Sequence, residues 1–262
     1  MSDLLASGLV TEVHGDGDAV VMLHGLGGSS NTFETLMPAL GGYRVIRPDL
    51  PGAGRSALPG AQLTIASINA AVLRMLNLAG VERAHFVGHS MGTLLCQHLA
   101  ATAPERVRSL TLFGALTQPA DANREGLRQR AKDVRESGMA ATAEAVSNGS
   151  TSSYTHETNP AARAFVRESL LRQSPPAYAA HCEALAAASA VDPRALRCPV
   201  LIVTGRDDPV TPPSMAQSLA DKVPGARLRI LERCGHWAPF EFVTECRTEL
   251  REFLSTSTRS TG

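Results

Sequence analysis

Ala84-His85-Phe86-Val87-Gly88-His89-Ser90-Met91-Gly92-Thr93-Leu94-Leu95 decides the reading of this 262-residue chain. An apolar run, Ala84 to Val87, meets an uncharged helical run, Met91 to Ala103, at Gly88-His89-Ser90-Met91-Gly92. The five residues fit Gly-x-Ser-x-Gly, in which a serine occupies a sharp turn between a buried strand and a helix. The spacing has a steric cause. So tight a turn strains the serine backbone and crowds neighbouring main chains, so the positions two before and two after it need almost no side chain. The turn lifts the hydroxyl above the sheet edge and aims the first helix amides, beginning with Met91, at whatever the hydroxyl attacks. Five residues match by chance often enough that the surroundings must support them.

Upstream, Ala19 to Leu23 holds no polar residue and reads as a strand covered on both faces, running into His24-Gly25-Leu26-Gly27-Gly28. Before it, Leu4 to His14 alternates loosely and ends in Gly15-Asp16-Gly17-Asp18, which predicts an edge hairpin. Asn31 to Leu40 reads as a short helix and Tyr43 to Ile46 as a strand, followed by a glycine-rich loop, Arg47 to Ser56, that matches no phosphate-binding spacing. Leu63 to Ala79 places Ile65, Ile68, Val72 and Met75 at helical intervals, with Gly80 ending the helix. Downstream, Arg108 to Gly114 is the next strand, and the alternation implies a parallel sheet with helices on both faces.

The rhythm breaks from about Thr117 to Asp192, where helical stretches are interrupted at Asn148-Gly149, Asn159-Pro160 and Pro175-Pro176. It returns with a strand at Cys198 to Gly205, a helix near Met215 to Lys222, a strand at Leu228 to Leu231 and a closing helix carrying Val243, Cys246, Leu250 and Phe253 on one face. The tail from Ser255 to Gly262 is expected to fray. The expected organisation is an α/β core from residues 1–116 and 193–262, with residues 117–192 inserted as a helical cap.

Lysine plus arginine equals aspartate plus glutamate at 25 each, and no run of one sign occurs, which points to a small-molecule partner rather than nucleic acid or an anionic membrane. The start lacks a basic segment followed by a long apolar one, and no window of about 18 apolar residues occurs, so neither export nor membrane spanning is expected. Five cysteines without a Cys-x-x-Cys pair read as reduced packing thiols of a cytoplasmic protein. No cluster has metal-ligand spacing, so neither metal nor cofactor is expected. The sequence leaves the assembly state open, a homodimer included.

A serine hydroxyl is a poor nucleophile near neutral pH, so the elbow needs a base, and the base a carboxylate to hold its tautomer. His236 follows the last strand, and Asp207 and Asp208 follow the strand before it. Both loops lie at the carboxyl ends of parallel strands, where Ser90 emerges and where open α/β sheets bind ligands. Asp208 is preferred to Asp207 because it lies three residues past Gly205, the usual reach of the acid loop. The developing oxyanion should be received by the amides of Met91 and Leu26, with His24 bracing the loop that carries Leu26.

Taken together, His24 to Gly27, the Gly88 to Gly92 elbow, Gly205 to Asp208 and Gly235-His236 resemble the α/β-hydrolase superfamily, over Ala19 to Gly114 and Cys198 to Leu254. Serine at position 90 separates the chain from the aspartate-using dehalogenases and epoxide hydrolases. The Asn159 to Ala188 segment and the short length look most like the 3-oxoadipate enol-lactonase and carboxylesterase branch. Ala53, where relatives often carry histidine, and Thr93, where glycine is common, are departures. Gly235-His236-Trp237-Ala238-Pro239-Phe240-Glu241 is shared with esterases and with carbon-carbon bond hydrolases of aromatic ring-cleavage products. The resemblance implies a serine hydrolase of a small ester or lactone, with Ser90, His236 and Asp208 as triad. A carbon-carbon hydrolase and a non-catalytic ligand-binding protein are the alternatives. Tyr154, Phe165 and Tyr178 of the insertion, and Trp237 beside His236, are candidate substrate contacts. The insertion holds seven arginines and one lysine against nine acids, so a carboxylate clamp must come from one placed arginine.

Overall fold

The computed structural model describes residues 7–259. In chain order the core begins with β1 (Thr11–His14), β2 (Asp18–Leu23), a ten-residue 3-10 helix (Ser30–Ala39), β3 (Tyr43–Pro48), α1 (Ile65–Leu78), β4 (Ala84–His89), α2 (Met91–Thr102) and β5 (Val107–Phe113). Five helices follow without an intervening strand: α3 (Asp121–Ser137), α4 (Ala140–Ser150), α5 (Ser153–Thr158), α6 (Pro160–Leu171) and α7 (Pro175–Ala186). The core resumes with β6 (Val200–Gly205), α8 (Pro213–Ala220), β7 (Arg227–Leu231), α9 (Ala238–Glu241) and α10 (Val243–Arg259). The seven strands form one sheet in the order β1-β3-β2-β4-β5-β6-β7, parallel throughout except for β1.

The continuous apolar runs follow from burial on both faces. Along β2, Val21 and Leu23 enter the cluster that contains α1, α2 and α8, while Val20 and Met22 enter the one built from the 3-10 helix and α10. The helical spacing of Ile65, Ile68, Val72 and Met75 has the same origin: all four are buried on the face of α1 turned to the sheet. Each contributes roughly 1.5–3 kcal/mol of apolar burial. A third cluster lies outside the sheet and joins the inserted helices to Trp237 and Phe240 of the core.

Three expectations are corrected. No hairpin joins β1 to β2, because β1 pairs antiparallel with β3 and leaves β2 to parallel neighbours on both sides; Leu4 to Ala6 lie outside the described residues. The short helix expected after the first loop is present at Ser30–Ala39, in 3-10 form with Pro38 inside it. Asn148-Gly149 does not interrupt a helix, since α4 runs through it to Ser150. The final helix continues to Arg259, with Phe253 and Leu254 buried, instead of fraying from Ser255; residues 260–262 lie outside the description. Asn159-Pro160 and Pro175-Pro176 do mark boundaries, because proline is tolerated in a first helical turn that needs no amide donor. All five cysteines are free thiols, and no helix among the described residues is long and apolar enough to cross a membrane.

Candidate active site

Ser90 joins β4 to α2 with φ 53° and ψ −119°, a backbone state that side chains rarely adopt. Such strain costs of order 1–3 kcal/mol and persists only where the surroundings impose it. Here the Ser90 amide donates to the Phe113 carbonyl at 3.0 Å, and its carbonyl accepts from the Thr93 amide at 2.8 Å and the Thr93 hydroxyl at 2.6 Å. The Thr93 oxygen also takes the Leu116 amide at 2.8 Å, so this departure from glycine ties the elbow to the end of β5. The flanking glycines meet a packing need. A Cβ on Gly88 would lie 2.6 Å from the Gly92 carbonyl oxygen, and one on Gly92 would overlap the Leu23 carbonyl.

The loops that carry His236 and Asp208 converge beside the elbow. His236 Nδ1 lies 2.8 Å from Asp208 Oδ2, and both residues are buried. Asp208 Oδ1 accepts the amides of Val210 and Thr211, each at 2.8 Å, and Oδ2 also accepts the Thr211 hydroxyl at 2.7 Å. Burial acts to raise the Asp208 pKa, but His236 and these donors outweigh it and hold the carboxyl below its ordinary value. An ionised Asp208 makes Nδ1 the protonated nitrogen of a neutral His236, which leaves the Nε2 lone pair to accept a proton. Asp207, by contrast, is exposed. The imidazole lies on Gly114, where a Cβ would come within 3.0 Å of Cε1. Because Gly114 follows Phe113, ring and elbow share one strand end. The His89 ring packs 5.1 Å from that of His236 and donates from Nε2 to the His236 carbonyl at 3.0 Å.

The loop after β2 closes the other side. A Cβ on Gly25 would lie 2.8 Å from Ser90 Cβ. His24 Nε2 accepts the Leu50 amide at 3.0 Å, which fixes Nδ1 as a donor, and Nδ1 binds the Gly25 carbonyl at 2.9 Å. Burial lowers the His24 pKa, in keeping with this neutral brace. The Gly28 amide reaches the same carbonyl at 3.1 Å, closing a turn in which Gly27 takes φ +77°, a conformation that favours glycine. Among the described residues the amides of Leu26 and Met91 carry no hydrogen bond within the protein, and Met91 opens α2, where the helix supplies no acceptor. Two unpartnered donors thus flank the serine.

The candidate substrate contacts separate. Tyr178 is buried with its ring edge against Gly27 and has Arg130 near its hydroxyl; burial drives its pKa up. Trp237 is buried behind the histidines, 4.7 Å from the His89 ring, with its indole N–H on Ser150 Oγ at 2.9 Å. Phe165 stacks on Phe240 at 4.3 Å. Tyr154 is not brought to Ser90: its ring meets the Arg233 guanidinium at 4.2 Å and Phe242 at 6.1 Å. The reason is local, since α5 turns Thr155 inward to Glu241 and leaves Tyr154 on a different side of the same short helix. An open cleft of about 490 Å³ between Ser30, Asp49, Arg55 and Arg172 lies outside the elbow, and Ser90 does not line it.

Thr211 and Glu241 hold places at the site that the sequence does not mark. Thr211 was hidden because its role depends on the return of the chain after Asp208, although Asp-x-x-Thr is a spacing at which a carboxylate caps its own following amides. Glu241 ends the Gly235-to-Glu241 motif, whose spacing alone gives it no role. Its Oε2 accepts the Gly235 amide at 3.0 Å, the Ser152 amide at 2.9 Å and the Thr155 hydroxyl at 2.7 Å, while Oε1 takes the Trp237 amide at 2.9 Å. It fastens the His236 loop to the inserted helices.

Comparison with known proteins gives concordant results. The sequence profile of the family described as the alpha/beta hydrolase fold matches residues 18–243. The 2-hydroxy-6-oxo-6-phenylhexa-2,4-dienoate hydrolase of Burkholderia cepacia is 30% identical over 257 residues, covering 92% of this chain and 89% of that protein. A candidate carbamate hydrolase, RutD, of Stutzerimonas stutzeri (strain A1501) is 32% identical over 236 residues, covering 86% and 88%. Among solved structures, the enol-lactonase from Burkholderia xenovorans LB400 matches with a TM-score of 0.89 at 27% identity, covering 94% of this chain and 96% of that one.

Proposed function

The chain belongs to the α/β-hydrolase family and is a hydrolase, and from that premise we propose that it cleaves a small carboxylic ester or lactone through an acyl-enzyme on Ser90. The observation that carries this reading is the buried 2.8 Å bond between His236 Nδ1 and Asp208, formed on the strand end that also holds the strained Ser90. Ser90 Oγ attacks the carbonyl carbon while its proton passes to His236 Nε2. The carbonyl oxygen becomes negative and accepts hydrogen bonds from the Leu26 and Met91 amides. Collapse breaks the bond to the leaving oxygen, which takes the proton from His236; in a lactone that oxygen stays tethered to the acyl group. Water then adds to the acyl carbon, gives a proton to His236, and Ser90 leaves with it. The inserted helices, residues 117–192, act as a cap that shapes the substrate pocket, and the site of action is the cytoplasm.

The reading extends to a substrate that carries a free carboxylate. Of the seven arginines in the insertion, Arg124, Arg128, Arg135 and Arg167 have carboxylate partners, Arg163 binds Asn148, and the exposed Arg172 lines the cleft outside the elbow. Arg130 is half-buried beside the Tyr178 hydroxyl, whose ring borders the Leu26 loop, and so is the arginine best placed to read an acid. A carbon-carbon hydrolase remains the second reading, favoured by the 30% identity to a dienoate hydrolase. The test is turnover of p-nitrophenyl acetate, an enol lactone with a free carboxylate, its methyl ester and a ring-cleavage dienone. Ester cleavage with a burst of nitrophenol, lost by about 10³-fold or more in Ser90→Ala, is expected. A preference of about 100-fold for the acid lactone, equivalent to roughly 2.7 kcal/mol, should collapse in Arg130→Gln. Turnover of the dienone alone would transfer the assignment to the second reading, and ligand capture without turnover would overturn both.

A further inference from the structure

We propose that Ser169 and Gln173 are positioning residues for the oxyanion hole, acting from the inserted helices through a relay of two peptide groups; the proposal rests on the ester-cleavage reading above. Ser169 lies in α6 and Gln173 just past its end, far in sequence from the loop they touch. The Ser169 hydroxyl donates to the Gly27 carbonyl at 2.7 Å. The buried Gln173 side-chain amide donates to the same carbonyl at 3.2 Å and to that of Gly28 at 3.3 Å. In a trans peptide the C=O and N–H of one unit point in opposite directions. The Gly27 carbonyl therefore belongs to the peptide whose other end, the Gly28 amide, donates to the Gly25 carbonyl at 3.1 Å. The Gly25 carbonyl in turn belongs to the peptide whose other end is the unpartnered Leu26 amide. The order is side-chain donor, Gly27-Gly28 peptide, Gly25-Leu26 peptide, oxyanion.

Two physical effects follow. Each hydrogen bond in such a chain polarises the next, by about 10–30% per bond, so donors on Gly27 strengthen the Leu26 amide as a donor. The clamp also removes freedom. His24-Gly25-Leu26-Gly27-Gly28 has three glycines in five residues, and Gly27 sits at φ +77°, so little but external bonds keeps its peptide planes from rotating. His24 secures the loop from the core side at Gly25, and Ser169 with Gln173 secures it from the side of the inserted helices. The inserted helices thereby enter the chemistry without touching the reacting atoms.

Kinetics of Ser169→Ala, Gln173→Leu and Ser169→Thr test this, with p-nitrophenyl acetate as substrate and a trifluoromethyl ketone, which becomes a tetrahedral oxyanion on serine, as inhibitor. The first two variants should lose about 10-fold in kcat, in line with the sensitivity of rates to small misplacement of an oxyanion donor. The ketone should weaken by the same factor while KM and Tm change little. Ser169→Thr, which keeps the hydroxyl, should restore both. Unchanged kcat and ketone affinity in folded Ser169→Ala and Gln173→Leu would overturn the relay, as would an equal loss in Ser169→Thr. If Gln173→Leu does not fold, the Ser169 pair decides. Wild-type protein that neither hydrolyses the ester nor reacts with a fluorophosphonate at Ser90 would overturn the ester-cleavage reading itself, a result distinct from an active enzyme indifferent to the variants.

Discussion

Thr211 holds Asp208 and His236 in one geometry with a single hydroxyl. It donates to Asp208 Oδ2 at 2.7 Å and lies 3.2 Å from His236 Nδ1, so its oxygen also marks where the Nδ1 proton must lie. Thr211→Val keeps the volume and removes this donor from a buried carboxylate. The cost expected is about 1–3 kcal/mol of stability, the price of leaving a buried charged group one partner short. Turnover of p-nitrophenyl acetate should fall about 10-fold, with Thr211→Ser retaining it; activity unchanged in a folded Thr211→Val would mean the two amides on Oδ1 suffice. The residue scale also separates what sequence can and cannot tell. The strained turn at Ser90 and the place of His236 at a strand end are legible because steric demand forces glycines around the elbow and because both residues follow strands. Thr211, Ser169 and Gln173 are not, because a hydroxyl or amide becomes a positioning group only when a distant chain segment comes within 3 Å or so of it.

Between residue and molecule, the element that governs the site is the turn from β7 into α9. It is held to the inserted helices by Glu241, by the His236 amide on the Ser150 carbonyl at 2.8 Å, and by the Trp237 indole on Ser150 Oγ. The end of α4 and the start of α5 are therefore part of the wall that seats His236. Glu241→Gln supplies an amide where the carboxylate had accepted, so at least one of the four donors around it loses its partner. Unfolding in urea should show a loss of about 1–3 kcal/mol, and protease sensitivity should rise between α4 and α5. A variant as stable and as resistant as wild type would contradict the clamp. At this scale the alternation of apolar runs and helical spacings made the parallel sheet legible, since strands covered on both faces need uninterrupted apolar residues. The pairing of β1 was not: β1 and β2 are joined by a tight glycine turn, and local turn chemistry says nothing of the third strand that comes between them. Asn148-Gly149 misled for the related reason that a helix supported by tertiary contacts tolerates a pair of turn residues in its last turn.

Over the whole molecule, charge is balanced at neutral pH, but the buried histidines make that balance conditional. Burial is the leading cause that holds His85 and His181 at about 4 and His89 at about 3, against an ordinary value of 6.5, and it lowers His24 as well. The unfolded chain therefore takes up protons as pH falls below 6.5, while the folded chain stays neutral at His85, His181 and His89 until about pH 4 or below. Their contribution to stability is full above 6.5 and is lost as pH falls toward the folded values, at about 1.4 kcal/mol per pH unit for each proton. The depressed carboxyls of Asp49 and Asp208 add a further loss below the ordinary carboxylate range, when their native bonds must be given up to protons. The expected outcome is a urea midpoint that declines steeply between pH 6.5 and 4.5, with a slope of about three protons from His85, His89 and His181. His85→Gln is the control for cause. His85 lies within β4 against Ser109, at 2.7 Å from its hydroxyl, on a part of the strand remote from the elbow. The variant should lower the slope by one proton while ester turnover at pH 7.5 stays as in wild type. A midpoint that is flat from 6.5 to 4.5, or a slope that His85→Gln leaves untouched, would mean that the buried rings are not what makes the fold sensitive to acid.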